Sequence, residues 1–203
     1  MSDNEGRERR SEQPEMTGTS AEVERRPPEP RIYVASLSDY NAGRLHGRWI
    51  DAAQEVEGLE EDIQGMLRSS PTGAAEEWAI HDYQGFGSFE VSEYEALGTV
   101  ARIAQGTAEH GPAFAALASL VGTESEDELE RFDDYFLGQF DSMEDFARGL
   151  AEDLGWEDDL DRIAGNFRAY VDIDYEMLGR DLATELSTAS APEGGVYVFD
   201  LRS

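Results

Sequence analysis

Two periodicities alternate along the chain from Arg31 onward, one of step two and one of three to four. Ile32, Val34 and Leu37 open a short strand-like run at Arg31, bounded as such runs are by turn-forming residues. Asp39 to Gly43 carries turn chemistry, with Asn41 and Gly43 both able to take positive φ. Leu45 to Ile50 follows as a second strand bearing His46, Arg48 and Trp49, so a hairpin or meander is expected. Between Ala52 and Ser70 the step lengthens. Val56, Leu59, Ile63 and Leu67 form one apolar stripe of a helix that Pro71 and Gly73 close. Trp78, Ile80 and Tyr83 read as a strand ending at Gly85 and Gly87. Ser92 with Glu95 is a capping box for a helix carrying Leu97, Val100, Ile103 and Ala104. Gly111-Pro112 interrupts it, and Phe114, Leu117, Leu120 and Val121 make another short apolar face.

The last third reads as short capped helices. Thr123 with Glu126 precedes Leu129, Phe132 and Phe136, with Gly138 placed to end that helix. Ser142 with Asp145 starts the next, whose face is Phe146, Ala147, Leu150 and Leu154, and Gly155 closes it. Leu160, Ile163, Ala164 and Phe167 stripe a third; Met177, Leu178, Leu182 and Leu186 stripe a fourth. Gly194-Gly195 leads into a terminal strand, Val196 to Phe199. No internal repeat is evident. The expected organisation is a leader over 1–30, an N-terminal α+β unit over 31–70, a central unit over 71–122, and an acidic, mainly helical unit over 123–203.

Composition separates the leader from the rest. Residues 1–30 hold Pro14, Pro27, Pro28 and Pro30, eight acids, five arginines and only Met1, Met16, Ala21 and Val23 as apolar side chains. Such a segment buries too little surface to offset its ordering entropy, and disorder is expected there. The whole chain, 39% hydrophobic over 203 residues, is expected to fold. It has no cysteine, which excludes disulfides and thiolate metal sites. Without a signal-peptide stretch or a membrane-length apolar run, a soluble cytoplasmic protein is expected.

Charge changes the picture most. Forty-five acids stand against sixteen arginines and no lysine, a formal charge of −29, roughly the phosphate charge of about 15 base pairs of duplex. Between Glu124 and Asp181 twenty acids face five arginines, a net of −15. Salt adaptation or a GC-rich genome would explain missing lysine, but neither explains a bias toward one end. Residues three or four apart on a helix stand about 5–6 Å from each other. Asp141, Glu144 and Asp145, then Glu152 and Asp153, then Glu157, Asp158, Asp159 and Asp161, therefore make rows of carboxylates spaced like successive phosphates. Acids in a first turn are ordinary helix chemistry, because they complement the dipole. Like charges at i,i+4 nonetheless repel by a few tenths of a kcal/mol, about 0.2–0.5 per pair.

Catalytic motifs find little support. Carboxylate pairs at glycosidase separation are inevitable among so many acids and carry no information. Asp172, Asp174 and Glu176 alternate like a calcium loop, but Met177 and Ala183 stand where its glycine and final glutamate belong. His46, His81 and His110 are isolated, with no metal-ligand spacing, and His81 beside Trp78 and Tyr83 is expected to be packed. Gly85-Phe86-Gly87 lacks the third glycine of a dinucleotide site, no phosphate loop or nucleophile elbow is present, and no basic patch suggests DNA binding. No cofactor and no metal are expected, and no catalytic residue is assigned. A hydrolase with an acidic metal site and a haloadapted acidic scaffold remain as alternatives.

Four segments carry a resemblance. Arg31–Ala52 (RIYVASLSDYNAGRLHGRWIDA) and Glu76–Leu97 (EEWAIHDYQGFGSFEVSEYEAL) are similar to the ArdA antirestriction proteins. So are Phe132–Gly155 (FDDYFLGQFDSMEDFARGLAEDLG) and Ile173–Leu182 with Gly194–Phe199, in the family's order. The resemblance implies an α+β fold: an elongated protein of three small α/β units in series, with short antiparallel strands and acidic amphipathic helices. It also implies a homodimer, joined through the C-terminal part, that imitates bent duplex in the DNA-binding channel of a type I restriction–modification enzyme. Members travel on conjugative elements. The family's acidic surface maps here onto Asp133, Asp134, Asp141, Glu144, Asp145, Glu152 and Asp153; Glu157, Asp158, Asp159 and Asp161 rest on this sequence alone. Tyr135, Phe136 and Phe140 are candidate dimer anchors, with packing in the unit's own core as the alternative. The partners expected are the methyltransferase core of such an enzyme and a second copy of the chain, with no nucleic acid and no membrane.

Overall fold

In the computed structural model residues 29–73 and 75–202 are described; the expected leader lies outside them except for Glu29 and Pro30. The fold is α+β, with two small antiparallel sheets. In the first, β1 (Arg31–Ser36) lies between β2 (Gly47–Asp51) and β3 (Trp78–Gln84). β-branched residues at alternate positions point one way: Ile32 pairs with Ile50 in register, and both side chains are buried. Helix α2 (Val56–Arg68) covers that face with Leu59, Ile63, Met66 and Leu67. Each such side chain, fully buried, contributes about 1.5–3 kcal/mol.

Between β1 and β2 the expected turn at Asp39 winds into a one-turn helix, α1 (Leu37–Asn41), because the Ser36 hydroxyl accepts from the Asp39 N–H at 3.3 Å. The Asp39 side chain is buried and receives hydrogen bonds from the hydroxyls of Ser70 and Thr72, with Arg44 at 3.6 Å. Burial raises its pKa, but the bonds from Ser70, Thr72 and Ser36, helped by His46, outweigh that and lower it from 3.8 to about 2.

Helices α3 (Leu97–His110) and α4 (Pro112–Val121) pack on each other around Ile103, Phe114 and Leu117. The Ser92–Glu95 pair does form, at 2.6 Å, but it does not start α3. The Ile80 N–H takes the Glu93 carbonyl at 2.9 Å, holding this segment as a turn against β3. The helix begins behind Ala96 instead. The Thr123–Glu126 box is likewise absent: Arg102 draws the Glu126 carboxylate to itself and donates to the Thr123 carbonyl at 3.0 Å. The single helix expected there is split into α5 (Glu126–Leu129) and α6 (Phe132–Tyr135), and Gly138 lies within a strand rather than ending a helix. Phe136 decides this. Its ring must meet Phe132 at 5.0 Å and Phe199 at 5.4 Å, which extended backbone achieves.

That strand, β4 (Phe136–Phe140), pairs with β6 (Val196–Phe199), and β6 with β5 (Ser187–Ser190), in the order β4-β6-β5. The β4–β6 register shifts between Phe136 and Gly138, where Gly138 takes φ 137°. One apolar cluster runs from Ile32 and Val34 through Ile103 and Leu117 to Phe132 and Phe199. Helices α7 (Met143–Asp153), α8 (Trp156–Ala164) and α9 (Tyr175–Glu185), with a 3-10 turn at Gly165–Tyr170, complete the chain. The Ser142–Asp145 box does cap α7, the Ser142 hydroxyl accepting from the Asp145 N–H at 3.1 Å. No helix among the described residues is long and apolar enough to cross a membrane.

Helix α9 buries Tyr175 and Gly179; of its expected stripe Leu178, Leu182 and Leu186 are half-buried, while Met177 is 58% exposed. A Cβ at Gly179 would stand 2.7 Å from the Met143 carbonyl oxygen. Alanine favours a helix interior by about 1 kcal/mol, but overpacking against backbone costs about 1–3 kcal/mol. Gly179→Ala should therefore lower the denaturation midpoint in urea, with the loss confined to the C-terminal helices by hydrogen exchange. For Asp39, a depressed carboxylate stabilises above its unfolded pKa and loses that contribution as pH falls toward about 2. The stability difference between the wild-type chain and Asp39→Asn, followed by urea melts, should be greatest above pH 4 and shrink below it.

Candidate acidic interface

The eleven carboxylates singled out by the sequence divide into those the local structure explains and those it does not. Asp133 and Asp134 begin α6, Glu144 and Asp145 begin α7, and Glu157, Asp158 and Asp159 begin α8. Each complements a helix N-terminus. Glu152 and Asp153 sit in the last turn of α7, where the dipole opposes negative charge. Asp141 precedes α7, and Asp161 lies in mid-α8. Ten of the eleven side chains are exposed, and Glu157 is half-buried.

The five arginines of this third are all spent close at hand. Arg131 meets Asp134 at 3.4 Å, Arg148 meets Glu144 at 2.8 Å, and Arg162 meets Asp159 at 2.5 Å. Arg180 pairs with Glu176, and Arg168 bridges Glu157 and Asp161. Asp141, Glu152, Asp153 and Asp158 make no ion pair among the described residues. Among the described residues Asp133 meets the His110 ring alone, at 3.6 Å.

The arginine at 168 belongs to a chain of contacts that the sequence did not reveal. Arg148 lies 4.3 Å over the Tyr175 ring, and the Tyr175 hydroxyl donates to Glu157 at 2.5 Å. Glu157 in turn holds Arg168, which also bonds Asp161 and the Val171 carbonyl. The bond to Glu157, with burial, pushes the Tyr175 phenol upward. Nothing in the spacing of these residues marked them as partners. They matter because α8 has no buried residue: of its expected core stripe Leu160 and Ala164 are half-buried, while Ile163 is 79% and Phe167 70% exposed. Polar contacts to α9 and to the turn that follows α8 take the place of a core.

The proposed dimer anchors sit differently from one another. Tyr135 is buried, its hydroxyl accepting from Arg131 at 2.8 Å. Phe136 is half-buried between Phe132 and Phe199, and Phe140 is half-buried on Phe146 at 5.0 Å. The most exposed large apolar side chains of this region are Ile163, Phe167 and Tyr170; Leu137, Leu154, Trp156, Val171 and Met177 are exposed to a lesser degree. The histidines stay apart. His46 bonds the Met66 carbonyl, His110 packs on Phe132, and His81, expected to be packed, is exposed with its ring edge-on to Tyr40. No group of three or more His, Asp or Glu among the described residues could hold a metal ion.

The family model for the antirestriction protein ArdA matches residues 32–197, which runs from β1 into β6 and takes in all of the helices that carry these acids. The chain belongs to the ArdA antirestriction family. No curated protein matches it. ArdA proteins are antirestriction proteins. In this ArdA chain the carboxylates without local partners fall on and around α7 and α8, within the matched span.

If polar contacts hold α8, removing their hub should free it. Arg168→Met keeps the stem and deletes the charge, and α8 backbone amides should then exchange markedly faster while those of α3 and α4 do not change.

Proposed function

We propose that this chain is a non-catalytic DNA mimic that occupies the DNA-binding channel of a type I restriction–modification enzyme. The observation that carries the reading is the pair Glu152 and Asp153. Both are exposed, neither has a cation among the described residues, and both sit where the helix dipole disfavours them. Local stability gives no reason to keep carboxylates there; a cationic partner does. Such a partner is a protein that grips duplex through Lys and Arg, and carboxylates spaced about 5–6 Å apart along a helix present it with a row of anions. A mimic offers no base edges, so it acts on the enzyme whatever sequence that enzyme recognises.

The same reading includes a homodimer. Ile163, Phe167 and Tyr170 are exposed together on α8 and the turn behind it, and contact between two copies would remove them from water. Two acidic surfaces joined in this way make a longer run of negative charge than one chain provides. An elongated arrangement of units in series belongs to the same proposal.

The test is a competition titration. Labelled duplex bound to a type I methyltransferase core is challenged with the chain, without metal, at about 50 and 200 mM salt. Displacement should be stoichiometric and should weaken by about tenfold or more at the higher salt, as multi-charge contacts do. Equal affinity at both concentrations would sink the mimic. Glu152→Gln alone should change inhibition by less than about twofold, whereas combined neutralisation of Asp141, Glu152, Asp153 and Asp158 should weaken it progressively, since each phosphate-like contact adds a similar increment.

A further inference from the structure

A cavity of about 520 Å³ opens between the two sheets, lined on one side by Tyr83 and Gly87 and on the other by Gln139, Glu193 and Tyr197. Gln139 and Tyr197 are partners in the β4–β6 register, so their side chains share one face of that sheet. Tyr83 is braced edge to face on Phe86 at 6.0 Å, and the Gln139 amide nitrogen donates to the Gly194 carbonyl at 3.1 Å. Among the described residues the exposed Glu193 carboxylate meets no cation, and neither the Gln139 amide oxygen nor the Tyr83 and Tyr197 hydroxyls have a hydrogen-bond partner. Burial, with the Glu193 charge added, pushes the Tyr197 phenol upward, so it keeps its proton at neutral pH. No arginine or histidine of the described residues lines the cavity.

Such walls select a cation with a flat apolar body. Carboxylate and amide oxygens accept hydrogen bonds, and tyrosine rings turn negative faces to a cation. A guanidinium answers both at once: it is planar and weakly hydrated, forks onto a carboxylate and stacks on a ring, whereas an ammonium is compact and strongly hydrated. The chain joins arginine to tyrosine in the same way within itself, Arg148 lying 4.3 Å over Tyr175 and Arg131 4.7 Å over Tyr135. Small ligands occupy cavities of about 300–1,000 Å³, so this one has room for a whole side chain and the backbone that bears it. It also adjoins the acidic surface. Asp141, a carboxylate without an ion pair, follows Gln139 by two residues, and a Cβ at Gly195 would stand 3.3 Å from the Asp141 Cα.

We infer that this cavity receives an arginine side chain of the partner enzyme, its guanidinium held by Glu193 and Gln139 and stacked on Tyr83. The inference rests on the mimic reading above and adds a second element to it. A duplex offers more than rows of phosphates: a narrow minor groove with anionic walls draws inserted arginines. The exposed carboxylates correspond to the phosphates, and the cavity corresponds to the groove. An anchor of this kind, one cation desolvated on a ring and an acid, contributes more than any single rim carboxylate does.

Two measurements test it. In the first, Nα-acetylarginine methylamide is titrated into the isotope-labelled full-length chain. The backbone amides of Gly87 and Glu193 and the side-chain amide of Gln139 should shift and saturate, and the lysine analogue should bind at least about threefold more weakly. Glu193→Gln should abolish the saturation, while the remaining signals report that the variant is folded. Shifts spread over α7 and α8 without saturation, or equal binding of the two analogues, overturn the proposal. In the second, displacement of duplex from the methyltransferase core is repeated with variants. Glu193→Gln should weaken it about tenfold, as loss of a hydrogen bond to a charged group does, against less than about twofold for Glu152→Gln. A Glu193→Gln chain that displaces duplex as well as the wild type overturns the arginine site and leaves the mimic reading standing. A wild-type chain that displaces nothing removes the mimic reading, and the partner's arginine with it, however well the capped arginine binds.

Discussion

Repulsion among carboxylates is the constraint around which the last third of this chain is organised. Twenty acids and five arginines share the segment from Glu124 to Asp181, and like charges at helical spacing each cost about 0.2–0.5 kcal/mol. Three devices answer it. First-turn positions absorb many of the acids, where the dipole favours them. The five arginines are placed within reach of six acids. Close backbone approach of α9 to α7 at Gly179, with Phe146, Ala147 and Ala151 buried on α7, holds the two helices together. Of the eleven carboxylates singled out by the sequence, these devices leave over Asp141, Glu152 and Asp153 among the described residues.

The two ends of the molecule are built on different balances. Around β1 the structure is conventional: β-branched residues in register, a helix on one face, and a buried carboxylate whose hydroxyl donors outweigh its desolvation. Around α8 the balance is polar. A helix with no buried residue is held by Tyr175, Glu157 and Arg168, and its apolar stripe is only half covered. Ile163, Phe167 and Tyr170 are left exposed on α8 and the turn behind it, beside the acids of the same helix.

Patterns of period two and local caps were legible in the sequence. The strands at Ile32, Trp78 and Val196, the α2 stripe and the Ser142–Asp145 cap all appear, because each depends on neighbours within a few residues. The failures share one cause. Glu126 forms no capping box because Arg102, 24 residues away in sequence, takes its carboxylate. Gly138 ends no helix because Phe136 must reach Phe199. The strand at Ser187–Ser190 carries only small side chains, and its pairing to β6 is what defines it. Apolar residues spaced for a helix say that one face is apolar, not that anything covers it, which is why Ile163 and Phe167 in the α8 stripe read as core and lie exposed.

By itself the sequence determined the charge, its bias toward the C-terminal third and the family to which the chain belongs. These are sums and orders of residues, and folding does not alter them. Tertiary structure alone decided which carboxylates keep a counter-charge and which do not. An ion pair needs its two heads within about 4 Å, and whether Arg168 reaches Glu157 and Asp161 depends on how α8 lies against the turn that follows it. The apolar stripe obeyed the same rule: its spacing is written in the chain, and its exposure follows from where the other helices stopped.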